Sequence, residues 1–139
     1  MIEDKSMSNS NDNIQIINTE KATAPGGHYS QAIKYNDLIF ISGQLGFVPG
    51  TSDIVVGSVE EQTKNCINNM KQILLASGSS MNNVIKTTIY ISDVALWPEV
   101  NTVYAEMFGA HKPSRAIVPC NKLHHGFDVE IEGVAVSIK

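Results

Sequence analysis

Apolar and polar residues alternate along this chain in two distinguishable rhythms, and the changes between them mark its elements. Residues 14–18 form a short apolar run that predicts a first strand, and Ala24-Pro25-Gly26-Gly27 punctuates the chain as a turn. Residues 29–34 and 38–42 read as two strands around Tyr35-Asn36-Asp37, a hairpin spacing, and residues 43–57 as a loop turning at Pro49-Gly50. The rhythm then becomes helical. Thr63, Cys66, Ile67, Met70, Ile73 and Leu74 recur at intervals of three and four, Ser58 and Glu61 stand at capping-box spacing, and Gly78 supplies a stop. Residues 83–93 return to period two, with Ile85, Thr87, Ile89 and Ile91 on one expected face. A second helix is predicted over about 96–108, burying Val100, Val103, Tyr104 and Met107 or Phe108, with Pro98 in its first turn and Gly109 at its end. Residues 114–120 and 127–138 read as the last strands, joined by 121–126.

Strands, helix, strand, helix, strands is the order of an α+β layered sheet, ferredoxin-like in kind. Two helices cover one face only. Residues 38–41 and 89–91 are apolar on both sides, so the other face is expected to need burial against identical subunits.

A length of 139 residues fits one domain, taken as 14–139 behind a polar tail of residues 1–13 that is too poor in apolar side chains to offset its ordering entropy. No apolar run approaches the ~20 residues of a membrane span. No segment reads as a signal peptide, and Cys66 and Cys120 lack a paired spacing, so reduced thiols and a cytoplasmic setting are expected. The net charge of −4 and scattered basic residues disfavour nucleic-acid binding.

The kind of positive charge is more telling than its amount. Nine of the ten basic residues are lysine, and Arg115 is the single arginine. Either it is one more surface charge, or its position requires the planar donor fork that grips a carboxylate or phosphate. Metal binding has little support: His124 and His125 are adjacent and would face opposite ways in an extended segment, and His28 and His111 lack partners at ligand spacing. Phosphate-loop, dinucleotide and nucleophile-elbow motifs are missing from the sequence. Cys120 has no identifiable base to make it a nucleophile. Glu130 and Glu132 share a strand face with Val134 and Val136, a face that looks core-like. For Glu132 an edge position or a lysine partner is the simpler expectation; Glu130 remains open between structure and function.

Taken together, Gly27-His28-Tyr29-Ser30-Gln31-Ala32, Ile41-Ser42-Gly43-Gln44, Gln62 with Asn69, Val84-Ile85-Lys86-Thr87-Thr88, Asp93, Val100-Asn101-Thr102-Val103-Tyr104, Phe108, Pro113-Ser114-Arg115 and Val129-Glu130-Ile131-Glu132-Gly133-Val134-Ala135 resemble the RidA family, also called YjgF or L-PSP, over about residues 14–138. The resemblance implies a chorismate-mutase-like fold, a homotrimer with a central β-barrel, and substrate clefts between subunits. It implies hydrolytic deamination of reactive 2-imino and enamine acids to 2-keto acids and ammonia, without a cofactor or metal. By position, Arg115 would hold the substrate carboxylate with backbone groups of Ala116 and Ile117, Glu130 would activate water, and Tyr29, Ser42, Gly43 and Asn101 would line the cleft. This sequence departs from the family pattern at His28 (usually proline), Ile117 (often cysteine) and Leu123-His124-His125 (usually Leu-Pro). Two other activities compete: non-turnover binding of keto acids or a chaperone-like role, and the ribonuclease or translation-inhibitor activity also attached to the family. The acidic balance and single arginine count against the last.

Overall fold

A computed structural model describes residues 13–138; most of the expected N-terminal tail lies outside the described residues. Six strands, β1 (Ile14–Ile17), β2 (Ala32–Tyr35), β3 (Leu38–Leu45), β4 (Val84–Ile91), β5 (Ser114–Pro119) and β6 (Val129–Val136), form one sheet in the order β1-β2-β3-β6-β4-β5. All neighbours are antiparallel except β4 and β5. The mixed sheet with two helices makes this an α+β fold, as the element order predicts.

Helix α1 (Val59–Ala76) starts at the predicted box: the Ser58 hydroxyl accepts the Glu61 N–H at 3.1 Å, and the Glu61 carboxylate accepts the Ser58 N–H at 2.9 Å. Its inward stripe is the predicted one, from Thr63 to Leu74. The chain leaves it at Ser77, with Gly78 at φ 76°. Helix α2 (Trp97–Phe108) buries Val100, Val103, Tyr104 and Phe108, and Gly109 caps it at φ 64°. Among the described residues no helix is long and apolar enough to cross a membrane.

The helices lie on the face presented by Val129, Ile131, Gly133 and Ala135 of β6 and by Ile39 and Ile41 of β3, and these join the helical stripes in one core. Glu130, Glu132, Val134 and Val136 point the other way. Their face is therefore not the core of this chain, contrary to the sequence reading, and Val134 and Val136 are only half-buried. Tyr35, Leu38, Phe40 and Val118 share this helix-free side by strand register, and Phe40 is 44% exposed. Glu132 is neither on an edge strand nor paired with lysine: it accepts the Tyr90 hydroxyl at 2.8 Å, from the neighbouring central strand.

Three departures from the predicted strands have local causes. Tyr29 precedes β2, in a segment held by its own short-range bonds, with its N–H on the Gly27 carbonyl and its hydroxyl accepting the Gly26 N–H. Strand β3 continues to Leu45 through a bulge, since Ile41 pairs with Gly133 and Gln44 with Ile131, three steps against two. A second irregularity between Val84 and Lys86 turns Val84 inward and leaves Ile85 exposed instead of on the core face.

Buried amides fasten the long connections to this frame. Gln31 donates to the carbonyls of Thr19 and Thr23 and accepts the Thr19 N–H; Asn69 accepts the Thr23 N–H and donates to the Phe47 carbonyl. Gln62 exchanges bonds with Asp128, accepting its N–H at 2.7 Å and donating to its carboxylate at 3.3 Å. Asp128 also takes Ser92 at 2.6 Å and Lys122 at 2.8 Å. Burial alone pushes its carboxyl upward, but the bonds from Lys122, Ser92 and Gln62 outweigh that and hold it below the ordinary carboxylate range. The stabilisation is then complete above the unfolded-state value, about 3.9, and disappears as pH falls through the lower folded value. Asp128→Asn should cost about 1 kcal/mol in urea unfolding at pH 7, and the gap to wild type should narrow as pH falls below that unfolded-state value.

Candidate functional site

Strand parity decides where the polar side chains of the sheet point. Thr87 of β4 pairs with Arg115 on one side and Gly133 on the other, so Arg115 shares the helix face. Glu130 is of opposite parity, and its side chain leaves the sheet away from the core. The two expected catalytic residues thus open onto different cavities of one chain.

Arg115 projects from the edge strand β5 towards α2. Its Nη1 donates to Asn101 Oδ1 at 2.9 Å, and the guanidinium carbon lies 4.8 Å from the Tyr104 ring centre and 5.8 Å from that of Trp97. Tyr104 is itself fixed by a 2.8 Å bond between its hydroxyl and Thr87, both buried. Burial raises the Tyr104 phenol despite the opposing effects of Thr87 and Arg115, so it stays neutral under the guanidinium. Among the described residues Arg115 forms no ion pair. An oriented, un-neutralised guanidinium beside a cavity of about 300 Å³, which Lys112 and His111 also line, is suited to a planar anion. Ala116 and Ile117 follow on the same strand. Because β5 is an edge, the backbone groups on its outer side have no strand partner among the described residues.

The second cavity, about 570 Å³, opens beside the β3 bulge and is lined by Tyr29, Ser42, Gly43, Gln44, Phe47, His124, His125 and Glu130 among others. Glu130 lies flat against the bulge. A β-carbon at Gly43 would sit 2.5 Å from Glu130 Oε2 and 2.9 Å from its carboxyl carbon, so only glycine permits this approach. Ser42 donates its hydroxyl proton to the Ser30 carbonyl, at 2.6 Å. Burial raises the Glu130 carboxyl; His124 opposes the rise and Glu132 adds to it. Such a carboxylate is a stronger base than an exposed one.

The structure therefore groups Arg115 with Asn101, and Tyr29, Ser42 and Gly43 with Glu130, but does not join the groups within one chain. Trp97 and Tyr104 escaped the sequence reading as site residues, although positions 97, 101 and 104 share one helix face by spacing. His124 and His125 were expected to diverge; both line the Glu130 cavity. Cys66 is buried, its thiol pushed up by burial and by Glu130, and donates to the Val129 carbonyl, so it is inert; Cys120 is exposed at the end of β5. Among the described residues no three His, Cys, Asp or Glu side chains are grouped to hold a metal ion.

The family model described as Endoribonuclease L-PSP matches residues 19–137. The chain belongs to the RidA/YjgF/L-PSP family. A RutC family protein of Pyrococcus abyssi is 44% identical over 87% of this chain and 95% of its own length. The mouse 2-iminobutanoate/2-iminopropanoate deaminase is 40% identical over 88% and 90%. Among solved structures, Escherichia coli TdcF with bound serine superposes with a TM-score of 0.84 at 32% identity, over 89% of this chain and 99% of that one. The split between Arg115 and Glu130 is thus a property of a RidA-family chain with this sheet order.

A native carboxyl raised above its unfolded value lowers stability once pH exceeds that unfolded value, about 4.3. Glu130→Gln should therefore raise the melting temperature at pH 7, and calorimetry at pH 4 should find the difference reduced.

Proposed function

We propose that this chain hydrolyses reactive 2-imino and enamine acids, of the 2-iminobutanoate and 2-iminopropanoate type, to 2-keto acids and ammonia, in clefts between the subunits of a homotrimer. The observation that carries the reading is the un-neutralised guanidinium of Arg115, aimed by Asn101 and two aromatic rings into a cavity. A 2-imino acid presents a planar carboxylate that this fork can take through two charge-assisted bonds. Relatives about 40% identical carry the deaminase name, and the serine held by TdcF is a ligand with an α-carboxylate and a nitrogen beside it.

The helix-free face supplies the reason for assembly. Packing Leu38, Phe40, Val118 and Val134 against their counterparts around a threefold axis would give the central barrel and remove exposed apolar area. It would also bring the β5 edge of one subunit to the β3 bulge of the next. Arg115 and the backbone of Ala116 and Ile117 would then hold the carboxylate, with Asn101 orienting the guanidinium. From the neighbouring subunit, Tyr29, Ser42 and Gly43 would shape the cleft and Glu130 would take a proton from the attacking water. Imines hydrolyse readily, so alignment of carboxylate, C=N and water accounts for most of the task. No cofactor enters this scheme, and a cytoplasmic setting is in keeping with it.

The competing reading from another class, binding of keto acids without turnover, uses the same Arg115 cavity. Coupling an amino-acid oxidase to this protein and trapping free imine with semicarbazide separates the two. Wild type should suppress the semicarbazone, whereas Arg115→Ala should lose roughly 1.5–3 kcal/mol of transition-state stabilisation, about ten- to hundredfold in rate, and Arg115→Lys should recover little. An unchanged rate in the alanine variant would remove the anchoring role. Keto-acid binding with no effect of wild type on the signal would establish the binding protein instead. For the composite cleft, co-refolded Arg115→Ala and Glu130→Gln chains should regain about a quarter of wild-type activity, because one interface in four draws both intact residues.

A further inference from the structure

Between β5 and β6 the chain tightens into a single turn at His124–Gly126, and His125 adopts φ 61°, ψ 17°. This left-handed backbone is uncommon for any residue but glycine. Its effect is directional. Neighbouring side chains that would diverge in an extended segment are both turned into the Glu130 cavity, their rings 6.4 Å apart.

The turn is braced on every side. Gly126 N–H donates to the Leu123 carbonyl and Phe127 N–H to that of His124, both at 3.2 Å, and Leu123 N–H closes onto Phe127 at 3.1 Å. Asp128, immediately after it, is locked by Gln62, Ser92 and Lys122. The His125 ring meets Phe47 edge-on at 5.5 Å, and Phe47 rests on the buried Phe127 at 4.9 Å, so His125 belongs to the wall. His124 has no such packing, and among the described residues nothing hydrogen-bonds its ring nitrogens. It stands in the cavity with Glu130, to which it couples electrostatically.

We propose that His124 is a second proton-transfer residue of this site, serving the substrate nitrogen and the carbinolamine oxygen while Glu130 serves the attacking water. The inference rests on the hydrolytic reading above and adds to it an imidazole, which can both donate and accept a proton. The protons balance as follows. Glu130 carboxylate takes one proton from water as the oxygen bonds to the imine carbon; the C=N π pair moves to nitrogen, which takes a proton from the His124 imidazolium. The neutral carbinolamine then collapses. Protonated Glu130 gives its proton to the amine, the C–N bond breaks, and ammonia leaves with the bonding pair. The hydroxyl proton passes to His124 as the carbonyl forms, which restores both residues to their starting states.

Charged and titratable groups around His124 are His125 on its own turn, Glu130 from β6, Tyr29 across the cavity, and the Lys122–Asp128 pair at the base of the turn.

The test is the rate of 2-iminopropanoate hydrolysis by the assembled protein across pH 5–9, from semicarbazone trapping, for wild type, His124→Gln and His124→Gly. Wild type should show a bell-shaped profile. His124→Gln, which keeps a polar side chain but cannot carry the proton, should lose the alkaline limb and about tenfold or more in kcat with little change in KM. Added imidazole should restore His124→Gly. If His124→Gln keeps the wild-type profile and a kcat within about twofold, or imidazole rescues nothing, His124 has no part in proton transfer and the Arg115–Glu130 reading stands alone. A wild type that leaves 2-iminopropanoate decay unchanged removes both readings.

Discussion

A side chain on a β-strand has two directions to choose from, and that restriction governs almost everything in this molecule. On β6 one parity, Val129, Ile131, Gly133 and Ala135, meets the helices and makes the core; the other, Glu130, Glu132, Val134 and Val136, lies on the side that neither helix covers. Because β4 and β5 run in register with β6, the same rule sends Arg115 to the helix side and Glu130 to the opposite one. The folding core and the placement of Arg115 and Glu130 on opposite faces are therefore one fact about alternation.

The orientation of each of these two side chains comes from neighbouring groups of the same chain. Arg115 is aimed by Asn101 and by Tyr104, which Thr87 fixes in turn. Around Glu130 the arrangement depends on an extra residue in β3, a glycine at the contact, and loops tied down by Gln31, Gln62 and Asn69. Each of these amides is buried and engages backbone on segments distant in sequence. A loop bonded in this way is as well defined as a strand.

Much of this was legible in the chain. Helix α1, its capping box and its stop follow from spacing alone, and the single arginine among ten basic residues singles out Arg115. The errors share a cause: they fall where backbone geometry, not side-chain type, carries the information. A bulge extends β3 through Ser42 and Gly43, another turns Ile85 outward, and a left-handed histidine brings together two rings that alternation would separate. Nothing in the letters Leu-His-His-Gly announces a positive φ at the second histidine. Val134 and Val136 look like core for a different reason. They are apolar because the helix-free face is, and a sequence does not say whether such a face is covered by its own chain.

The exposed ring of Phe40 has a bearing on how this protein tolerates change. Under the proposed assembly its covering is what joins the Arg115 of one subunit to the Glu130 of the next, although it lies on neither cavity wall. Substitutions on that face would then present genetically as active-site lesions in a chain that still folds. Drift there would be constrained as tightly as at the arginine itself, and the face would record the ancestry of the assembly as faithfully as the cleft records that of the reaction.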